Sequence, residues 1–225
     1  MTAAVHAPHK AWIDEADLSL DDFRAQVPRT AAPADYPLAS DVRSNVPVYS
    51  PATGCAADRR APLSAVILAP ADGSGVVVFE GAVDTDVVEP ASEAFVAIID
   101  AHRAAGDHFG KPAANDRIWK AAQKLALHAP QVFADYYAND AIATVSQAWL
   151  GRRHQATSPV NVVNPGGNRQ VPHRDYHLGF VPDEHLASYP AHLHRTSQAL
   201  TLQGAVAHCD MPAESGPTMP SGSRE

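Results

Sequence analysis

The sequence has few cysteines, no long apolar run and no basic cluster, and each absence excludes a class of protein. Its two cysteines, Cys55 and Cys209, form no CxxC pair and are too few for a disulfide framework, which is typical of a reducing cytoplasm. No stretch approaches the roughly 18 apolar residues of a membrane helix, and the N-terminus lacks the features of a signal peptide. We therefore expect a soluble, cytoplasmic protein with no membrane partner.

The charge balance argues against nucleic acid as a partner. The chain has 17 Lys and Arg residues against 25 Asp and Glu residues, a formal net charge of −8, and no block of Lys or Arg that would grip a phosphate backbone. Its 225 residues suffice for one domain of ordinary size, or for one domain with an added N-terminal region. The oligomeric state is not predictable from these features.

The first 62 residues differ in composition from the rest. They are rich in Ala, Pro and Asp and have little sustained periodicity, which predicts an irregular N-terminal arm. Residues 63–225 then form the predicted domain. Two short β-branched runs at its start, residues 65–68 and 76–79, are bounded by Pro and Gly and predict strands.

Helical periodicity comes next, and β-type runs follow it. Residues 84–150 are predicted to be helical, with Asp84 or Asp86 as an N-cap, a second helical region in residues 115–130 that Pro130 ends, and a further helix pair after it. From residue 157 the chain has short β-type runs with turns between them. This order predicts an α+β domain in which helices cover one face of an antiparallel, double-sheet roll.

A His-x-Asp-x-His pattern follows the turn Asn164–Gly167 in "NVVNPGGNRQVPHRDYHLGF". In a β-strand, residues two apart point to the same face, so His173 and Asp175 would project together. An imidazole and a carboxylate are two of the three donors of the 2-His-1-carboxylate facial triad, which leaves iron coordination positions open. The spacing therefore predicts two ligands of a metal site, beside aromatic residues suited to line a cavity.

Blander alternatives stay open at this point. His-x-Asp occurs by chance in many chains, where the two side chains simply pair at the surface. His177 shares the predicted face, as a third ligand or as a residue that contacts a ligand or the substrate. A zinc-dependent hydrolase using His173, Asp175 and His177 is a further reading, although zinc sites of that class usually place their ligands on helices or separate strands.

Three segments together resemble the phytanoyl-CoA dioxygenase family of iron(II)- and 2-oxoglutarate-dependent oxygenases. They are "NVVNPGGNRQVPHRDYHLGF", "LTLQGAVAHCDMPAESGPTM" and "DGSGVVVFEGAVDTDVV", and the resemblance covers about residues 72–219. It implies a double-stranded β-helix, a jelly-roll or cupin-like fold, with the N-terminal helices packed on one sheet. It also implies Fe(II) bound by His173, Asp175 and a distal His, with an Arg after that His binding 2-oxoglutarate.

The resemblance implies an oxidoreductase that hydroxylates a small organic or acyl substrate with O2. Apart from the metal ligands, no catalytic residue is predicted. Gln170, Asn161 and Arg174 are the predicted contacts to the co-substrate, although Asn161 and Asn164 also suit the end of a strand and the cap of a turn.

The segment after Met219 departs from the family pattern. Family members continue with a run similar to "LP-x-SH" and further strands, whereas "PSGSRE" follows here. The distal His and the co-substrate Arg are not identifiable, and His208 is the other candidate for the third ligand. We therefore expect a roll that is incomplete at its C-terminal side. The competing function is a catalytically incomplete fragment or a degenerate homologue without a full metal triad.

Overall fold

The computed structural model describes residues 11–14, 16, 19–26, 30–50, 75–102, 115–167, 170, 173, 175–178 and 181–217. The chain divides into two compact units. The small unit consists of Met1–Pro28 and Pro172–Gly204, and the large unit consists of Arg29–Val171 and Ala205–Glu225. The described residues form several helices and small sheets, which confirms mixed α+β structure.

In chain order, the helices are α1 (Leu20–Gln26), α2 (Thr85–His102), α3 (Ala121–His128), α4 (Pro130–Tyr137), α5 (Asp140–Leu150), α6 (Asp183–Leu186) and α7 (Ala191–Ala199). The strands are β1 (Asp41–Arg43), β2 (Val46–Tyr49), β3 (Val78–Phe79), β4 (Asn115–Ile118) and β5 (Val160–Val163). Short 3₁₀ turns lie at Pro33–Asp35 and Ala213–Ser215.

The region predicted as an irregular arm contains regular structure. Strands β1 and β2 form an antiparallel hairpin, and β3 adds to β2 in parallel. Ser44 and Asn45 both have positive φ, 47° and 70°, which suits the two-residue turn of a hairpin. Tyr49 is buried and stacks on Phe79. The prediction was wrong here because this contact pairs distant segments, which local periodicity does not report. The strand predicted at residues 65–68 lies outside the described residues.

Helices α2, α3 and α4 enclose the core of the large unit. The buried residues of this core are Ala91, Ala94, Phe95, Ile98, Ile118, Ala121, Leu125 and Tyr136. Backbone amides of Val87 and Val88 bond the carbonyl of Asp84, so α2 begins where the sequence predicts. The helix pair predicted after Pro130 is confirmed by α4 and α5.

The second predicted helical region begins instead as a strand. Residues Asn115–Ile118 form β4, which pairs with β5 from Ile118↔Val160 to Asn115↔Val163. Only α3 follows the predicted helical spacing, and Pro130 begins α4 rather than ending a pattern. Proline suits a first helical turn because the amide it lacks would have no partner there.

The small unit packs its N-terminal segment against a later helix pair. Trp12 forms an isolated antiparallel bridge with Pro190, and the amide of Ala191 bonds the carbonyl of Ala11 at 2.8 Å. His194 of α7 is buried, and its Nε2 lies 3.1 Å from the carbonyl oxygen of Leu186 in α6.

The predicted β-roll over residues 157–225 is not seen among the described residues. Within this range they contain the strand β5, and two helices, α6 and α7, follow it. The run from Thr201 to Met211, predicted as a strand, has no regular secondary structure. β-Branched residues alone do not make a strand, because a strand also needs a partner for its backbone groups.

Within the described part of the chain, no helix is long and apolar enough to span a bilayer.

Candidate functional site

The small unit brings His173 and Asp175 together, as the sequence predicts. His173 Nε2 lies 3.6 Å from Asp175 Oδ1, and their side chains are 27% and 31% exposed. Two atoms that bind one metal ion at about 2 Å each lie about 3 Å apart when they meet it at a right angle. The pair therefore fits two neighbouring positions around one ion, at a surface that small molecules can reach.

The backbone that carries this pair is not a strand. His173 and Asp175 have no regular secondary structure, Tyr176 lies in a bend, and His177 begins a turn. The prediction of a pleated segment is therefore wrong for the described residues. Pro172 precedes the pair and has no amide hydrogen for a sheet ladder, which works against strand pairing at this point.

A second segment contacts this one through two side chains. Gln203 Nε2 donates a hydrogen bond to Asp175 Oδ2 at 2.6 Å, and Thr201 Oγ1 lies 3.4 Å from His177 Nδ1. Thr201 also donates its hydroxyl hydrogen to the carbonyl of Ser197 in α7 at 2.9 Å. Neither Gln203 nor Thr201 was identified from the sequence. The available signal was weak: both alternate along the chain as Asp175 and His177 do.

No third ligand joins His173 and Asp175 in the structure. Among the described residues, no group of three His, Cys, Asp or Glu side chains is arranged to hold a metal ion. His177 is exposed, and its Nδ1 faces Thr201. The zinc site predicted from His173, Asp175 and His177 is therefore not formed by the residues described.

His208 lies in the large unit and has two close partners there. Its Nδ1 is 2.7 Å from Ser92 Oγ, and its Nε2 is 2.7 Å from Tyr136 Oη. The ring also packs against Phe95, with the ring centroids 6.0 Å apart. Burial lowers the pKa of His208 below its usual value, so its neutral form is favoured. A ligand role for His208, which stays a prediction, requires release of one of these two partners.

The predicted co-substrate residues fall outside the His173–Asp175 pair. Asn161 is exposed on β5 and Gln170 is partly buried; both belong to the large unit, whereas the pair belongs to the small one. Arg174 lies outside the described residues. Their contacts to a co-substrate therefore stay predictions.

Asn164 has the structural role that its position after a strand suggested. Its side-chain amide donates to Asp116 Oδ2 at 2.9 Å, and its backbone amide donates to Asn115 Oδ1 at 3.3 Å. The amide of Gly167 bonds the carbonyl of Asn164 at 2.8 Å, which closes the turn. These bonds tie the turn after β5 to the start of β4.

Comparison with known proteins gives one family. The model of the phytanoyl-CoA dioxygenase family matches residues 71–220, two thirds of the chain, and this span includes His173, Asp175 and His208. No curated protein and no solved structure matches the sequence. The resemblance seen in the sequence is thereby confirmed, and the chain belongs to the phytanoyl-CoA dioxygenase family, whose members are oxygenases that depend on iron(II) and 2-oxoglutarate.

Proposed function

We propose that this protein is an Fe(II)- and 2-oxoglutarate-dependent dioxygenase that hydroxylates a small organic or acyl substrate. The carrying observation is the 3.6 Å separation of His173 Nε2 and Asp175 Oδ1, in a chain that belongs to this family. The double-stranded β-helix and a cytoplasmic location are parts of the proposal. They depend on the family membership and on the low cysteine content.

In this proposal, His173 and Asp175 supply two of the protein ligands to iron. When bound, the ion supplies the activation of O2 that accompanies decarboxylation of 2-oxoglutarate to succinate. The neutral imidazole of His173 offers a nitrogen lone pair, and the ionised carboxylate of Asp175 offers an oxygen and partly neutralises the cation. Gln170, Asn161 and Arg174 are the proposed contacts to 2-oxoglutarate.

A second candidate is a relative that lacks a full metal triad and binds metal weakly or not at all. Two observations favour it. The described residues contain no group of three ligands, and both ring nitrogens of His208 have close partners in the large unit. Both candidates keep the His173–Asp175 pair, so measured metal binding separates them.

The deciding experiment is an anaerobic titration of the full chain with Fe(II) and 2-oxoglutarate. The oxygenase should give a weak visible charge-transfer band, which requires both the metal and the chelating co-substrate. We expect His173→Ala to lose the band and to abolish metal-dependent formation of succinate.

His192→Ala is the matched control, since His192 is an exposed histidine of the same unit. It should keep the band and succinate formation at the wild-type level. A full band in His173→Ala would refute the assignment of His173. A wild-type protein that gives no band supports the second candidate.

A further inference from the structure

The segment of residues 201–203 lies alongside the segment of residues 175–177 in the small unit. Gln203 contacts Asp175, and two residues earlier Thr201 contacts His177, two residues after Asp175. This is the register of two antiparallel segments, although neither is a regular strand. Side chains that face each other in such a register interact directly.

The donor in the contact between Gln203 and Asp175 follows from chemistry. An ionised carboxylate only accepts hydrogen bonds, so the Gln203 amide must present its NH2 group, at 2.6 Å from Oδ2. The other oxygen, Oδ1, faces His173 Nε2 at 3.6 Å. The two carboxylate oxygens therefore have different partners: one faces an amide donor, and the other faces the imidazole.

The end of helix α7 holds the segment that carries Gln203. Thr201 bonds this helix end twice, with its hydroxyl to the Ser197 carbonyl at 2.9 Å and with its backbone amide to the Gln198 carbonyl at 3.2 Å. The amide of Leu200 bonds the Thr196 carbonyl at 3.0 Å. A ligand is oriented reproducibly when the residue that supports it stands on a rigid element.

We infer that Gln203 is a positioning residue for the metal site: its amide holds Asp175 Oδ2 and thereby turns Oδ1 toward the metal position beside His173. This inference rests on the proposed function. Ligating carboxylates are themselves usually hydrogen-bonded, and loss of such a partner typically costs 10–100-fold in metal affinity. Gln203 is exposed, so water competes for the same carboxylate oxygen, and we expect a loss of about tenfold.

The test measures binding of Co(II), a spectroscopic substitute for Fe(II), to the full chain in the presence of 2-oxoglutarate. Gln203→Met removes the amide at similar side-chain length. We expect it to weaken Co(II) binding about tenfold and to alter the visible Co(II) absorption bands, which report the ligand geometry. Gln203→Asn keeps an amide on a shorter side chain, and its affinity should fall between those of wild type and Gln203→Met.

Gln123→Met is the control, because Gln123 is an exposed glutamine on α3 in the large unit. It should bind Co(II) as wild type does. The thermal unfolding of each metal-free variant is measured in parallel, and we expect no change for any of them. A lowered melting temperature of metal-free Gln203→Met that accounts for its weaker binding would show a merely structural role and overturn the inference.

The two proposals fail in different ways. If wild type binds Co(II) and Gln203→Met binds it within twofold of wild type, with the same spectrum, the inference about Gln203 is wrong and the proposed function stands. If wild type binds no Co(II), the proposed function fails, and the role of Gln203 fails with it.

Discussion

Tyr136 donates its phenolic hydrogen to Nε2 of His208 across 2.7 Å. The direction follows from Ser92, whose hydroxyl hydrogen is donated to the carbonyl of Val88 at 2.8 Å. Ser92 Oγ must therefore accept from Nδ1 of His208, which leaves the Nε2 lone pair for Tyr136. Burial raises the pKa of Tyr136 to about 12, so the phenol keeps its hydrogen at neutral pH. The three side chains form a neutral network that joins α2, α4 and the segment after residue 205.

Removing the Tyr136 hydroxyl should destabilise the large unit. In Tyr136→Phe, Nε2 of the half-buried His208 loses its donor, and a polar group left without a partner costs about 1–3 kcal/mol. The measurement is the free energy of unfolding from urea denaturation. Tyr176→Phe is the control, because Tyr176 has no hydrogen bond to the described residues, and its change should stay within about 0.5 kcal/mol. Equal stability of the two variants would contradict the network.

The stability of the protein should fall in mild acid, in part because of His208. Its pKa is lowered by burial in the folded protein, whereas in the unfolded chain it has the ordinary value of 6.5. As the pH falls below about 6.5, the unfolded chain takes up the proton first, and the stabilising contribution of the neutral ring is lost. Above that pH the contribution is fully present.

The measurement for His208 is the free energy of unfolding of wild type and of His208→Gln between pH 5 and pH 8. The other histidines titrate in both proteins, so the difference between the two curves isolates His208. We expect wild type to lose more stability than the variant as the pH drops. Parallel curves over the whole range would exclude the lowered pKa.

Gly167 should not tolerate a side chain. A Cβ at this position would lie 2.9 Å from the Asn164 carbonyl oxygen and closer still to Oδ1 of Asn115, a buried residue that cannot easily move. Crowding of this kind costs about 1–3 kcal/mol, so Gly167→Ala should lower the melting temperature. At Gly204 an added Cβ meets no described atom within 4 Å, and Gly204→Ala is the matched control. A similar melting temperature for both variants would argue against the turn geometry.

Two leucines of helix α3 should differ sharply in their contribution to stability. Leu125 is 0% exposed and belongs to the core, whereas Leu127 is 80% exposed. Leu125→Ala should cost about 2–5 kcal/mol, because it removes buried methyl groups and leaves a cavity. Leu127→Ala should change the stability by less than about 0.5 kcal/mol. Calorimetric unfolding of both variants tests this, and a large effect at Leu127 would contradict the placement of the helix.

Local signals predicted the helices well where they were strong. The start of α2 at Asp84, and the helix pair α4 and α5, follow from capping residues and apolar spacing along a continuous segment. Trp119 illustrates the limit: its position suggested a core residue, but it follows β4 rather than lying in a helix, and it is 49% exposed. Its indole packs instead against Arg117, whose guanidinium carbon lies 4.4 Å from the ring centroid.

The sequence by itself determined the family and the proximity of His173 to Asp175, since two residues separated by one position stay close in many backbone conformations. It also determined the helices whose hydrogen bonds join residues four apart. Only the tertiary structure decided which partners meet across long separations: Gln203 with Asp175, Tyr136 with His208, and β2 with β3. Such contacts depend on how distant segments pack together, and no spacing along the chain encodes that packing.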